Sequence, residues 1–415
     1  MKKQKWLSLL LCVAVVIMLL PATVLAAEGD VSYSYYDADS ETWQTGTKAV
    51  GDYTSVTSAD TSWSDGWYVV SGEVTISSRV AVSGDVHLIL EDGCTLTADA
   101  GIQVHDTNAL TIYGQTEGTG KLIANVTVAG NAAIGGNYYV TAGISGGTIT
   151  ISGGNVTANG GEHGAGIGGA YFGPGGNITI NGGTVTATGG YGSAGIGGGQ
   201  GGSGGTITVN GGIVTANGGQ YGAGTGGGLG GSGGTVTIDG GTVTAVGGNE
   251  AYAFHVVPSL NANTVWSIFA GETVDALAQV ATPTDETFTA SKAVKLEATR
   301  ISVDITWTAM EFTYTNGDWS PETHSYSEGS WTTTGGEITL QNNSNIDVNA
   351  AFAYTPADGI TGITGSFENL TNNIMSLSAG DSGSTKLSLS GKPAQALSNT
   401  PIGTVTITIT NPQNP

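Results

Sequence analysis

Positive charge is scarce in this sequence: 11 Lys and Arg stand against 33 Asp and Glu among 415 residues, a formal net charge of −22. So acidic a chain lacks the basic footprint that nucleic acid and anionic lipid surfaces require, and both are excluded as expected partners. Cysteine is nearly absent. Of its two occurrences, Cys12 falls in an N-terminal leader, so Cys94 has no partner for an internal disulfide and reads as a buried, inert thiol. After residue 26 no apolar run is long enough for a membrane span. Helical periodicity is missing as well, which points to an all-β chain.

The leader has a positive start (Lys2, Lys3, Lys5), an apolar stretch from Trp6 to Leu20 and the small-residue site Val24-Leu25-Ala26. Residues 1–26 are therefore expected to be a signal peptide, with a secreted mature chain beginning at Ala27.

What the sequence has in abundance is glycine, 70 residues of it, arranged periodically. From Gly146 a unit recurs every 29 residues, opening at Gly146, Gly175, Gly204 and Gly233. Apolar residues keep fixed offsets, as in Ile149, Ile178, Ile207 and Val236, or Val156, Val185, Val214 and Val243. Equivalent residues can thus stack like on like, the mark of a solenoid. Within a unit Thr148, Thr150 and Thr157 alternate with Ile149, Ile151, Val156 and Ala158, the period of strands with one buried face. Glycine pairs between them supply corners. Two strands and a longer glycine-rich arc predict a three-sided coil, and the preference of parallel crossovers predicts a right-handed parallel β-helix.

Upstream, strand-rich segments such as GWYVVSGEVTI and RVAVSGDVHLIL read as irregular early coils. At Arg300 the glycine period ends and about seven longer strands follow, which fit an immunoglobulin-like β-sandwich. In it Trp307, Trp319 and Trp331 read as core and strand-edge packing. The expected organisation is a signal peptide (1–26), an N-terminal cap (27–65), a parallel β-helix (66–299) with regular repeats over 146–248 and a closing coil over 257–299, and the sandwich (300–415).

Motifs for chemistry are few. Gly164, Gly166 and Gly169 match GxGxxG, but no strand-to-helix unit surrounds them, so they read as a corner and imply no cofactor. The regular repeats hold two carboxylates, Glu162 and Asp239, out of register, and no Lys or Arg. That predicts neither a metal array nor a catalytic pair. The early coils carry Arg79, Asp85, His87, Glu91, Asp92, Asp99, His105, Asp106 and Lys121, none marked out as a pair. Aromatic residues do gather in the arcs: Tyr171, Phe172, Tyr191 and Tyr221, with His163 at a related position. Pyranose rings stack on such faces, so these five are the candidate carbohydrate-binding residues.

The run from GWYVVSGEVTI through CTLTADAGIQV, followed by LTIYGQTEGTGKL and the SAGIGGG and GGTVTATGG units, resembles secreted β-helix repeat surface proteins of Gram-positive, clostridia-like bacteria, often described as carbohydrate-binding-domain-containing. It covers about Trp63 to Thr299, and the part after Arg300 is similar to sandwich modules appended to such proteins. Taken together, the residues and this resemblance lead to the expectation of a monomeric, non-enzymatic, extracellular protein that binds a polysaccharide or host-surface glycan, with a protein partner for the sandwich as a further expectation. A structural spacer presenting the sandwich and a polysaccharide lyase or hydrolase are the alternatives.

Overall fold

The computed structural model describes residues 29–37, 42–139, 142–143, 145–262, 264–299, 301–395, 397 and 400–410. The signal peptide expected over 1–26 lies outside the described residues. The chain divides into two compact units, Met1–Ala298 and Thr299–Pro415.

The first unit is a parallel β-helix with three ladders. One stacks Val80–Leu90, Ala109–Gly114, Thr148–Ile151, Asn177–Ile180, Thr206–Val209 and Thr235–Ile238, with Ile149, Ile178, Ile207 and Val236 in register. The second stacks Glu73–Ile76, Thr95–Ala98, Lys121–Asn125, Asn155–Asn159, Thr184–Thr188, Ile213–Asn217 and Thr242–Val246, with Val156, Val185, Val214 and Val243 aligned. The third is formed by two-residue strands in the arcs: Ile102–Gln103, Ile134–Gly135, Ile167–Gly168, Ile196–Gly197 and Thr225–Gly226.

The predicted alternation holds in every regular strand: inward Ile, Val and Ala side chains are buried and outward Thr and Asn are not. Each buried Ile or Val contributes on the order of 1.5–3 kcal/mol relative to exposure. Outside, polar side chains bridge coils, as where Asn210 Nδ2 donates to Asn181 Oδ1 at 2.8 Å. The early coils differ in length, since Leu88 pairs with Ile112 and Ile112 with Ile151, so the 29-residue period does not extend to them.

Both ends differ from their parallel interior. At the C-terminal end Ala293–Ala298 pairs antiparallel with Thr242–Val246, and Trp266–Gly271 adds to it. Phe254 and Phe288 fill the last coil in an edge-to-face pair. At the other end the expected cap over 27–65 needs correction. Parallel pairing already begins at Thr54–Ser55, which lies beside Ser62–Val70, and Val56 with Trp63 is what joins the core there. Residues Val31–Asp37 and Thr42–Lys48 instead form a hairpin lying along the side of the coils, bridged at Ser34 to Gly114. The reason is local. In the early coils Val69, Ile89 and Tyr113 face outward yet are apolar, and Val31 and Tyr33 of the hairpin cover them as a separate small core.

The second unit is a sandwich. Val303–Trp307, Glu337–Asn342, Ser382–Ser390 and Thr364–Phe367 form one sheet in that spatial order, and Ile374–Leu377, Val348–Pro356 and Gly403–Thr410 the other. Seven strands in sheets of four and three agree with the expectation. The connectivity departs from the immunoglobulin pattern, because Ile374–Leu377 is added outside Val348–Pro356 after the chain has crossed to the opposite sheet. A ribbon of Met310–Thr315 and Ser330–Gly335 is also inserted between the first two strands. The tryptophan reading is corrected too: Trp331 is half-buried, donating to the Gly391 carbonyl, but Trp307 and Trp319 are 69% and 50% exposed. The ribbon carries Trp319 outward, and between the ribbon and the sheets lies a cleft of about 1430 Å³ lined by Trp307, Phe312, Tyr314, Trp331 and Tyr354.

The arcs are the tightest part of the β-helix. Gly135, Gly168, Gly197 and Gly226 all have φ between 119° and 132°, and at the first three a Cβ would collide with the carbonyl of the next coil's glycine. Gly197→Val should therefore destabilise the unit by roughly 3 kcal/mol, combining strained backbone with overpacking. Thr206→Ser, on the outer face, should stay within about 0.5 kcal/mol of the parent. Urea unfolding of both variants checks this, and equal midpoints would contradict it.

Candidate functional site

Each regular arc leaves the second ladder at a first corner, passes through the two-residue strand and returns by a second corner. In the arc of residues 160–176 the first corner carries Glu162 and His163, and the second Tyr171 and Phe172. The arc folds back on itself, with the Gln200 amide donating to the His163 carbonyl and the Phe172 amide to the Gln200 carbonyl. First and second corners of neighbouring coils thereby become adjacent, which brings all five candidate aromatics together.

Tyr171 stacks on Phe172 at 4.1 Å between ring centroids, and the His163 ring lies 4.9 Å from Tyr171. His163 meets Tyr191 edge-on at 5.6 Å, and Tyr191 meets Tyr221 edge-on at 5.0 Å. Such offset and edge-to-face contacts hold a cluster together beyond its area burial, by about 0.5–1.5 kcal/mol per pair. Phe172 is 56% exposed and Tyr191 41%. The result is one continuous aromatic platform on the outside of rigid coils.

A sixth ring joins it. Tyr138 lies 5.3 Å from Tyr171 and occupies the equivalent place one coil earlier. It precedes the regular repeats, so the 29-residue period does not mark it. Its signal was the match of Ile134-Gly135-Gly136-Asn137-Tyr138 to Ile167-Gly168-Gly169-Ala170-Tyr171. In later coils the same position holds Gln200 and Leu229; the Gln200 Oε1 is buried with no hydrogen-bond partner among the described residues.

Two of the aromatic residues sit on strained backbone. His163 has φ 69° and Phe172 φ 59°, where the next coil places Gly192 (φ 74°) and Gly201 (φ 80°). A bulky side chain in this region costs on the order of 1–2 kcal/mol, which glycine avoids. The corner geometry thus admits aromatic residues only at an energetic cost, and strain of this kind concentrates at functional sites.

The electrostatics of the platform are acidic. His163 Nε2 lies 3.7 Å from Glu162 Oε1, and His163 Nδ1 lies 3.2 Å from the Tyr191 carbonyl oxygen. The Tyr221 hydroxyl is pushed up from its ordinary value by its hydrogen bond with Tyr191 and then by the charge of Glu250. Gln220 Nε2 donates to the same hydroxyl at 3.3 Å.

The early-coil charges have other partners. Arg79 donates to the carbonyls of Ala100 and Gly136, and Asp92 accepts from the amides of Glu117 and Thr119. Cys94 is buried in the core, and burial pushes its thiol up to about 11. Asp85, His87 and Tyr113 do form a line unmarked in the sequence: His87 Nε2 lies 3.4 Å from Asp85 Oδ2, and its Nδ1 lies 3.1 Å from the Tyr113 hydroxyl. Trp67 stacks on His87 at 4.3 Å, with the Lys48 ammonium 4.1 Å over the indole. Burial pushes Tyr113 up to about 12, so this hydroxyl stays protonated under the hairpin.

Residues 149–171, 178–200, 207–229 and 236–253 match the family model of the β-helix repeat. The chain carries that repeat in its regular coils. Each of the three longer matches closes at a second-corner residue of the platform columns: Tyr171, Gln200 and Leu229. No curated protein and no solved structure matches the chain. Stacked repeats of this kind suit a structural or binding role. Among the described residues no helix is long and apolar enough to cross a membrane.

Under the hairpin, burial lowers the His87 pKa; Asp85 opposes the shift and Lys48 adds to it. The unfolded chain then takes up this proton at a higher pH than the folded one does. The stability linked to His87 is fully present above about pH 6.5 and is lost as pH falls. The thermal midpoint should drop more steeply between pH 7 and pH 5 in the parent than in His87→Phe, and parallel profiles would contradict this.

Proposed function

We propose that the β-helix is a non-enzymatic glycan-binding shaft of a secreted or cell-surface protein, with the aromatic platform as its binding surface. The single observation that carries this reading is the gathering of Tyr138, Tyr171, Phe172, His163, Tyr191 and Tyr221 into one run of half-buried to exposed rings across successive coils. Sugar rings offer apolar faces for stacking and hydroxyls for the surrounding hydrogen-bonding groups. A platform on stacked coils is pre-organised, so little ordering entropy is lost on binding. Two of its rings are kept at strained corners, which favours a binding role over simple shielding of glycines.

Chemistry is disfavoured by the surroundings of the Asp85–His87–Tyr113 line. The Tyr113 hydroxyl is 3.1 Å from His87 beneath the hairpin, and because burial pushes it up to about 12 it stays protonated near neutral pH and has no free phenolate to act as a base. The His87 imidazole is stacked on Trp67 and has its two ring nitrogens turned to Asp85 and Tyr113, which disfavours it as the base of a lyase.

A second reading, a spacer whose sandwich engages a partner, is favoured by the aromatic cleft of about 1430 Å³ in the second unit. Tyr191→Ala combined with Tyr221→Ala separates the two. Binding to a polysaccharide panel, with and without Ca²⁺ and with released products monitored, should weaken at least tenfold, about 1.4 kcal/mol, in the double variant. Unchanged binding would assign it to the sandwich, and released unsaturated products would make the protein a lyase.

A further inference from the structure

The platform is bracketed by carboxylates in a defined way. In the stacking of the arcs Glu162 occupies the position of Tyr191 one coil earlier, and Glu250 the position of Tyr221 one coil later. Each tyrosine thus has a carboxylate in its own column, Glu162 one coil before Tyr191 and Glu250 one coil after Tyr221, the two columns lying one residue apart. At about 4.8 Å per coil, the two carboxylates stand roughly 14 Å apart along the stack. Glu162 is 66% exposed, with His163 3.7 Å away, and Glu250 acts on the Tyr221 hydroxyl.

Little positive charge offsets them: from Leu122 to Ser291 the sequence has no Lys or Arg, the whole chain carries −22, and the Lys292 ammonium that reaches this corner is held by the Asn249 carbonyl beside Glu250. A uronate or sulfated glycan would meet two carboxylates and π faces, both repulsive to anions. An ammonium group meets the reverse: carboxylates for charge-assisted hydrogen bonds and ring faces for cation–π contact. The long-range field also concentrates cationic chains near the surface.

We infer that the platform selects glycans built of amino sugars with free ammonium groups, held by stacking on Tyr191 and Tyr221 and by ion pairs to Glu162 and Glu250. This rests on the proposed glycan-binding role and adds the charge class of the ligand. Neutral sugars of the same backbone stack on the same rings without the ion pairs, so they bind more weakly. Acidic polymers are rejected.

The test compares a short β-1,4-glucosamine oligosaccharide with its fully N-acetylated counterpart and with oligogalacturonate, at pH 6 where the amine is protonated, by calorimetry. The parent should bind the amine form at least tenfold more tightly than the N-acetyl form, with the advantage shrinking as salt rises. Glu162→Gln with Glu250→Gln should bring the two close to parity while leaving N-acetyl binding in place; that retained binding also reports that the coils are folded. Equal binding of both forms by the parent, lost together in the tyrosine double variant, would overturn the charge selection and leave the glycan-binding role standing. A preference for oligogalacturonate would also overturn it. Absence of binding to all three, or an amine preference indifferent to both double variants, would overturn the inference, and the former would count against the platform reading as well.

Discussion

The close approach of backbone to backbone at the arc glycines is the constraint on which the rest of the first unit depends. At Gly168 and Gly197 the carbonyl of the following coil occupies the space a Cβ would take, so the coils can lie one hydrogen bond apart only because side chains are missing there. Once the arcs stack at this spacing, the inward Ile, Val and Ala columns align without further choice, and the amides of each coil find acceptors in the next. The parallel stack would present open edges at each end. The antiparallel Ala293–Ala298 strand covers one, and Val56 with Trp63 fills the other.

The same constraint shapes the platform. A corner that admits few side chains fixes the backbone from which His163 and Phe172 project, and the Phe172 ring lies over Gly201 of the next coil. Rings carried on stacked coils, next to the Glu162 and Glu250 carboxylates, form a surface with both a shape and a sign of charge. The hairpin solves a separate problem. It hides the outward apolar side chains of the early coils beneath Val31 and Tyr33, and His87 enters that small core with its charge suppressed by burial.

Much of this could be read in the sequence, for identifiable reasons. The strands at Thr148–Ile151 and Asn155–Asn159 are legible because one face is buried and the pattern recurs at a constant interval. In the early coils Leu88, Ile112 and Ile151 align although the residues between them vary in number, so no period extends there. The arc aromatics could be named, but not their contacts. Tyr191 aligns with Glu162 and Tyr221 with His163, so the two tyrosines are not repeat equivalents, and they meet only because the corner folds back. The side-lying hairpin was hidden because its partners, Trp67, His87 and Tyr113, belong to the outward face of strands whose inward face already accounted for the pattern. In the sandwich the number of strands follows from alternation, whereas the placement of Ile374–Leu377 is a matter of topology that alternation does not encode.

The most direct measurement is the ¹⁹F spectrum of the protein labelled with fluorotyrosine, titrated with a bound oligosaccharide and assigned by single Tyr→Phe variants. The account predicts shifts confined to Tyr138, Tyr171, Tyr191 and Tyr221, with Tyr33 and Tyr113 under the hairpin and Tyr314 and Tyr354 in the sandwich cleft unmoved. Shifts at Tyr314 and Tyr354 with a silent platform would contradict it.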